Sequence, residues 1–188
     1  MKIGILGGTF NPIHIGHLIL AEEAFSKLNL DKVIFVPAYL PPHKDEAVLD
    51  AEHRFNMTVL AIEGNPHFEV SRVEIEVKQK SYSIDTLQKF REKYGPKADF
   101  FFITGSDSLK ELSSWKNIDD VFRLANFIVA KRPGFPIGRA PKEVRVVVIT
   151  EAEVSASEIR KRLKEKRSIR YLVPEKVRDY IDKYKLYS

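Results

Sequence analysis

Short apolar runs alternate with amphipathic segments along most of the chain. The apolar runs are residues 2–6, 32–36, 99–104, 126–130 and 144–150. Several of them are too uniformly hydrophobic for a sheet that has one face in water, and this pattern is typical of buried parallel strands. Residues 69–77 form a sixth candidate strand with a weaker pattern.

Segments with helical spacing of apolar residues separate these runs. They are residues 14–29, 50–63, 84–94, 117–124, 157–166 and 174–184, and Pro174 opens the last one. The regular alternation predicts a doubly wound α/β fold, a Rossmann-like parallel sheet with helices on both faces and right-handed crossovers. Two proline-rich stretches, 37–47 and 131–142, follow predicted strands. We expect them to form loops at the carboxyl edge of the sheet, where open α/β folds bind ligands.

The length and the even composition favour one domain. A chain of 188 residues with 44% hydrophobic residues can bury one substantial core. No linker or repeat divides it, so we expect a single domain over residues 1–188, with a C-terminal helical segment, from about residue 155, packed on it.

Charge and cysteine content narrow the classes of chemistry. The formal net charge of +5 is compatible with an anionic small molecule or with nucleic acid, and the absence of cysteine excludes disulfides and thiolate sites. No apolar segment has the length of a membrane span or of a signal peptide. We therefore expect a cytoplasmic protein without a membrane partner.

A glycine turn, GGTFNPIHIGH at residues 7–17, links the first predicted strand to the first helix. Glycines let the backbone approach a phosphate, and the free amides of a helix start point toward it. His14 and His17 are three residues apart, so both imidazoles lie on one side of the first helical turn. Such a pair can stabilise negative charge on a departing pyrophosphate. The alternatives are a helix cap with one core histidine, or a metal pair without an obvious third ligand.

A second helix start, VSASEIR at residues 154–160, follows the last predicted strand. Ser155 and Glu158 have the spacing of a capping box. The same turn offers free amides, Ser157 and Arg160 to a phosphate, so capping and phosphate binding are compatible. The two helix starts are therefore expected to converge on one polyphosphate.

These two motifs resemble the GTFxPxHxGH and Ser-x-[Ser/Thr]-x-Ile-Arg elements of the cytidylyltransferase-like nucleotidyltransferases. The resemblance implies nucleotidyl transfer without a protein nucleophile, assisted by Mg²⁺ that bridges phosphate oxygens. It assigns catalytic roles to His14, His17 and Arg160. The ATP contacts that we expect are Gly7, Gly8, Thr9, Phe10, His17, Asp107, Lys131, Arg132, Ser157 and Arg160. Asp107 follows a strand, where it either contacts a sugar or a water-bound Mg²⁺, or caps the turn. Lys131 and Arg132 are either ligand contacts or solvated charges.

Three more stretches resemble the bacterial nicotinate-nucleotide adenylyltransferase family. They are PAYLPPHK at 37–44, SYSIDTL at 81–87 and GSDSL at 105–109 with Trp115 beyond, and YLVP at 171–174 extends the match over the whole chain. The resemblance implies that ATP and nicotinate mononucleotide are the substrates and that nicotinate adenine dinucleotide and pyrophosphate are the products.

The nicotinate mononucleotide contacts that we expect are Lys44, Tyr82, Ser83, Thr86 and Trp115. Tyr82 and Trp115 offer flat faces to a pyridine ring, although both could instead be ordinary packing aromatics. Amides at Tyr82–Ser83 can receive the nicotinate carboxylate, so we expect the acid to be preferred over the amide. The family often has threonine at the position of Ser83.

Three other interpretations remain at this point. The acceptor could be another phosphorylated compound, as in pantetheine-phosphate adenylyltransferases or glycerol-phosphate cytidylyltransferases, but SYSIDTL and Trp115 argue against it. Residues 160–170 hold seven basic residues and one glutamate, which suits either a nucleic-acid surface or, as we prefer, a solvated helix face. The third is a nucleotide-binding protein that has lost turnover, although both histidines, Asp107, Ser157 and Arg160 are all present. As a separate question, Arg54 either supports the site or is a surface charge. The sequence leaves a homo-oligomer open.

Overall fold

One parallel sheet organises the chain. The computed structural model describes residues 1–41, 48–131, 140–150 and 152–187, without the side chains of Asp107 and Lys110. The strands are β1 (Lys2–Gly8), β2 (Lys32–Pro37), β3 (Phe68–Val70), β4 (Asp99–Gly105), β5 (Asn126–Lys131) and β6 (Val144–Val148). Their order is β3-β2-β1-β4-β5-β6, and every neighbouring pair is parallel. The predicted doubly wound class is confirmed.

Helices follow the strands in the predicted alternation. They are α1 (Ile15–Leu28), α2 (Ala51–Ile62), α3 (Ser83–Tyr94), α4 (Ile118–Leu124), α5 (Ala156–Lys164) and α6 (Glu175–Tyr184), and two short 3₁₀ helices span Ser106–Lys110 and Leu112–Ser114. Among the helices of the described ranges, none has both the length and the apolar character that crossing a membrane requires.

The strands β1, β2, β4 and β5 are buried on both faces, and successive residues of each strand point to opposite sides of the sheet. In β1, Leu6 packs with apolar residues of α1, α2, α5 and α6, whereas Ile3 and Ile5 pack with those of α3 and α4. These two cores explain the uniformly apolar runs that form β1, β2, β4 and β5, whereas the apolar run of β6 lies at the edge of the sheet with Val146 and Val148 exposed. The C-terminal helices α5 and α6 belong to the first of them through Ile159, Val177 and Ile181.

The segment at 69–77 departs from its prediction. Only Phe68–Val70 is a strand, paired with Val33, Ile34 and Phe35 of β2. Residues 73–78 form turns instead, with turn hydrogen bonds from Glu76 N to Arg72 O and from Lys78 N to Ile75 O. Local turn bonds have taken the place of a strand ladder, so the predicted strand was too long. The last strand also ends at Val148, two residues earlier than expected.

Candidate active site

A cavity of about 760 Å³ opens at the carboxyl edge of the sheet, where β1 and β4 end and where α1 and α5 begin. Among the residues that line it are Gly7, His14, Gly16, His17, Thr104, Gly105, Ser106, Ser108, Thr150, Ser155, Ser157 and Arg160. The structure thus brings the two predicted helix starts to one space. Their amide ends and donor side chains favour an anionic ligand there.

His14 and His17 form one unit at the start of α1. The backbone N–H of His14 donates to Nδ1 of His17 over 3.2 Å, and the two rings stack with centroids 3.7 Å apart. Because Nδ1 of His17 accepts this bond, a neutral His17 carries its proton on Nε2. His14 is the N-cap of α1 and is 6% exposed. The histidine pair therefore caps the helix and also faces the cavity.

Two glycines allow the close packing around this pair. A Cβ on Gly8 would lie 2.7 Å from a ring carbon of Phe10, which is itself 1% exposed and cannot move aside. A Cβ on Gly16 would lie 3.1 Å from the His14 ring. Phe10 in turn packs edge-on against His17 with ring centroids 5.0 Å apart. The glycines of the turn thus let aromatic rings hold the histidines in place.

The start of α5 supplies hydroxyls and Arg160. Ser155 caps the helix by accepting the amide of Glu158 at 3.2 Å, and its Oγ lies 3.1 Å from that of Ser157. The Glu158 carboxylate instead accepts from Arg162 at 2.9 Å and Arg167 at 3.3 Å, and Arg162 holds the pKa of Glu158 below its ordinary value. The predicted capping box is therefore half formed.

Arg160 connects the two helix starts directly. Its Nη1 donates to the backbone oxygen of Asn11 over 2.9 Å. Asn11 belongs to the turn between β1 and α1, so the guanidinium of α5 lies beside the turn that precedes His14. Arg160 also lines the cavity. A single side chain thus orients the turn and faces the space in which an anion would bind.

Arg54 is buried, and its interpretation as a surface charge is wrong. The residue is 1% exposed, and burial lowers the pKa of its guanidinium. It donates to three backbone oxygens, those of Thr9 at 2.7 Å, Tyr39 at 2.9 Å and Leu49 at 2.7 Å. These carbonyls belong to the turn after β1 and to the stretches on either side of residues 42–47. Arg54 therefore fixes one loop of the carboxyl edge against another.

Tyr187 is a contact that the sequence analysis missed. Its hydroxyl donates to Oδ1 of Asn11 over 2.9 Å, and burial raises the pKa of the phenol, which keeps it a donor. The backbone of the same turn is also held from the C-terminal side, because the amide of Ile15 donates to the oxygen of Leu172 at 3.0 Å. The aromatic residue after α6 was the available signal, but nothing local indicates its partner.

The start of α3 forms a second polar area of the site. Tyr82 is the N-cap, and its carbonyl accepts the amides of Asp85 at 3.1 Å and Thr86 at 3.3 Å. Helix geometry leaves the first amides, those of Ser83 and Ile84, without intrahelical acceptors. Such amides suit a carboxylate.

Tyr82 and Trp115 pack at the edge of the same core and are partly exposed. The Trp115 ring lies edge-on to Phe102 and Phe127, with both centroid distances 5.7 Å. Lys116 lies 4.6 Å from the centre of the Tyr82 ring and bonds to Asp85 at 3.1 Å, so it ties the tryptophan segment to the start of α3. The structure thus brings the two predicted aromatics to one area.

Comparison with known proteins shows which family has this sequence. Residues 5–162 match the model of the family described as Cytidylyltransferase-like. A "Probable nicotinate-nucleotide adenylyltransferase" of Moorella thermoacetica is 44% identical, covering 99% of this chain and 91% of that protein. One of Thermus thermophilus with the same name is 45% identical over all of both chains.

The chain belongs to the nicotinate-nucleotide adenylyltransferases of the cytidylyltransferase-like family.

A solved structure of this adenylyltransferase family agrees in fold over nearly the whole chain. The Plasmodium falciparum nicotinic acid mononucleotide adenylyltransferase complexed with NaAD has a TM-score of 0.81 and 25% identity, covering 99% of this chain and 97% of that one. The same protein complexed with APC gives a TM-score of 0.79. The Plasmodium protein is thus known with both ligands in the fold that this chain shares.

Several expected site residues of this adenylyltransferase are not among the contacts described so far. Lys44 and Arg132 lie outside the described residues, as does the side chain of Asp107, whose backbone lies in the 3₁₀ helix after β4. Lys131 ends β5, partly buried. Thr86 is 3% exposed and its hydroxyl donates to Glu74 Oε1 at 2.5 Å.

Thr104 and Ser108 line the cavity although the sequence analysis did not name them. Their hydroxyl oxygens are 2.6 Å apart. A threonine that ends an otherwise apolar strand was the signal that could have found the first of them. Within the described ranges, no group of three or more histidine or carboxylate side chains could hold a metal ion by itself.

Proposed function

We propose that this adenylyltransferase joins the phosphate of nicotinate mononucleotide to the α-phosphate of ATP, which gives nicotinate adenine dinucleotide and pyrophosphate in NAD biosynthesis. The observation that carries the proposal is the convergence of the α1 and α5 starts on one cavity, with His14, His17 and Arg160 around it. The full-length relatives with this name support the choice of acceptor.

The ATP side of the proposal places the polyphosphate between the two helix starts. The turn at Gly7, Gly8, Thr9 and Phe10 would offer backbone amides, and Ser157 and Arg160 would add donors from α5. His17 would donate from Nε2, the nitrogen left protonated by its bond with His14. Lys131 and Arg132 at the end of β5 would complete the positive surroundings.

The chemical step would be a direct displacement at the α-phosphorus. An oxygen of the mononucleotide phosphate forms the new P–O bond, the bond between the α- and β-phosphates breaks, and its electron pair leaves with pyrophosphate. No protein nucleophile is needed, so rate enhancement comes from alignment and from stabilising the charge that develops on pyrophosphate. His14, His17 and Arg160 would supply that stabilisation.

Mg²⁺ fits this site as a companion of ATP. The described residues hold no metal cluster of their own, so phosphate oxygens would be its main ligands, and Asp107 would bind it through water. The ion would neutralise charge on the triphosphate.

The acceptor side of the proposal uses the start of α3. Tyr82 and Trp115 would contact the pyridine ring, and the first-turn amides around Ser83 would receive its carboxylate. Lys44 would bind the mononucleotide phosphate. Because nicotinamide has no carboxylate, the acid should have the higher specificity constant.

Pyrophosphate release tests the proposal. Purified protein is given Mg²⁺ and ATP together with nicotinate mononucleotide, nicotinamide mononucleotide, phosphopantetheine or no acceptor. We expect release chiefly with nicotinate mononucleotide, and loss of release when a chelator removes the metal. Release with another acceptor would keep nucleotidyl transfer but overturn the roles of Tyr82, Ser83 and Trp115, and equal specificity constants for acid and amide would overturn the role of the α3 amides.

A further inference from the structure

Glu74 lies against the turn that begins α3. Its Oε1 accepts from the hydroxyl of Thr86 over 2.5 Å, and the side chain of Ser81 acts to lower the pKa of the same carboxylate. Ser81 directly precedes Tyr82, and Thr86 follows Ser83 by three residues. The two hydroxyls therefore bracket the residues to which we assign nicotinate binding.

The carboxylate of Glu74 is partly buried. Burial raises the pKa of Glu74, and the hydroxyls of Thr86 and Ser81 together with the charge of Lys89 only partly offset that effect. A partly buried carboxylate of this kind contributes less stability than a well-packed apolar side chain of similar size could. Its neighbour Glu76 is exposed, as glutamates usually are. The position of Glu74 therefore calls for an explanation other than stability.

Hydrogen bonds connect Ser81, at the start of α3, to the turn after β1. The Oγ of Ser81 accepts the amide of Tyr39 at 2.9 Å, and the carbonyl of Tyr39 accepts from Arg54 at 2.9 Å. Arg54 then donates to the carbonyl of Thr9 at 2.7 Å. The charges of Arg54 and Glu74 also attract each other. One connected set of bonds thus joins the two areas that we assign to the acceptor and to ATP.

We propose that Glu74 is a positioning residue for acceptor recognition, which holds the hydroxyl of Thr86 so that the first amides of α3 face the nicotinate carboxylate. This inference rests on the proposed function. Glu74 does not contact the acceptor, since its own negative charge would repel the nicotinate carboxylate. Thr86 acts with it, because the Thr86 hydroxyl is directed to Glu74.

Steady-state kinetics of three glutamate variants test this role. Glu74→Ala removes the acceptor of the Thr86 hydroxyl, and we expect the KM for nicotinate mononucleotide to rise about tenfold, with the KM for ATP nearly unchanged. The preference for nicotinate over nicotinamide mononucleotide should narrow. Glu74→Gln keeps the shape and one acceptor oxygen, so it should retain most of the acceptor affinity. Glu76→Gln is the matched control and should behave as the wild type.

A fourth variant links the effect to the hydroxyl. Thr86→Val keeps the volume of the side chain and removes its donor, and we expect it to share the phenotype of Glu74→Ala. The double variant should be no worse than the more severe single one, because both changes break the same contact. If Glu74→Ala fails to fold, Thr86→Val and Glu74→Gln carry the test.

An unchanged KM for nicotinate mononucleotide in folded Glu74→Ala or Thr86→Val protein would overturn the inference. A parallel rise in the KM values of both substrates would also overturn it, since that pattern indicates general loosening of the fold. The proposed function fails separately, when the wild-type protein releases no pyrophosphate with nicotinate mononucleotide.

Discussion

The amide of His14 donates to Nδ1 of His17, and the two imidazoles stack with centroids 3.7 Å apart. This contact determines which nitrogen of His17 can act on a ligand. Since Nδ1 is an acceptor, the proton of the neutral ring is on Nε2. The N-cap geometry of α1 thereby prepares His17 as a hydrogen-bond donor at the edge of the cavity.

His17→Ala should lower turnover far more than ATP affinity. A donor that acts on developing charge contributes mainly to the transition state, so we expect kcat to fall by roughly 100-fold or more while the KM for ATP changes little. His67→Ala is the control, because His67 is exposed and stacks on Phe25 at 4.5 Å. An unchanged kcat in the His17 variant would remove His17 from the mechanism.

The sheet was predictable because burial on both faces leaves a strong mark on sequence. Strands such as β4 show it in the run of three phenylalanines and isoleucine at 100–103, all of which are buried. The histidine pair was predictable as well, because three-residue spacing is a local property of a helical turn. The turns at 73–78 were missed because hydrogen bonds between residues close in sequence replace strand pairing there, and the apolar pattern of the sequence is the same in both cases.

The supporting contacts were harder to predict because their partners are distant in sequence. Arg54 lies three residues after Ala51 and three before Met57, both buried, so its position on the apolar stripe of α2 was a usable signal. The charge of Arg54 nevertheless favoured an exposed position in the sequence analysis. Tyr187 and Asn11 are 176 positions apart, and only the three-dimensional fold relates them.

Arg54→Lys should destabilise the protein despite conserving the charge. An ammonium group cannot reach three carbonyls in the fixed geometry of a guanidinium, so partly buried oxygens at Thr9, Tyr39 or Leu49 would lose their donors. We expect the free energy of unfolding in urea to fall by about 2 to 4 kcal/mol.

Arg123→Lys provides the comparison for Arg54. The Arg123 side chain is exposed and pairs with Asp120 on the surface of α4. Its substitution should change the free energy of unfolding by less than about 0.5 kcal/mol. Equal effects of the two substitutions would contradict the role of Arg54 as a loop anchor.

Tyr187→Phe should affect activity through the turn that contains Asn11. The substitution removes one hydrogen bond, with an expected loss of about 1 kcal/mol in unfolding free energy. The backbone oxygen of Asn11 also accepts from Arg160, so freeing the Asn11 side chain should lower kcat several-fold. Tyr184→Phe changes an exposed ring in the same segment and should leave kcat as it is. A Tyr187 variant that behaves like this control would show that the contact serves neither the turn nor catalysis.

Glu74 should make the stability of the protein depend on pH in an unusual direction. Burial raises the pKa of Glu74 above its value in the unfolded chain, so the folded state binds the proton more tightly. The protein therefore avoids the cost of the buried charge at low pH, and it loses stability as pH rises through the raised pKa. Lys89 and Arg54 oppose this rise in pKa and Asp85 adds to it, and all three are present in both the wild type and the variant.

Glu74→Gln has no group to ionise at this position. We therefore expect the unfolding free energy of the wild type, relative to that of Glu74→Gln, to fall over the range from about pH 4, the ordinary pKa of a glutamate, upward through the raised pKa. Urea unfolding of both proteins across this range measures the difference, and Glu76→Gln should show no such trend. A wild type that gains stability over the variant as pH rises would mean that the hydroxyls of Ser81 and Thr86 outweigh burial. If the unfolding free energy of the wild type falls relative to that of Glu74→Gln, and Glu74→Ala binds the acceptor more weakly, then Glu74 reduces stability but supports acceptor binding.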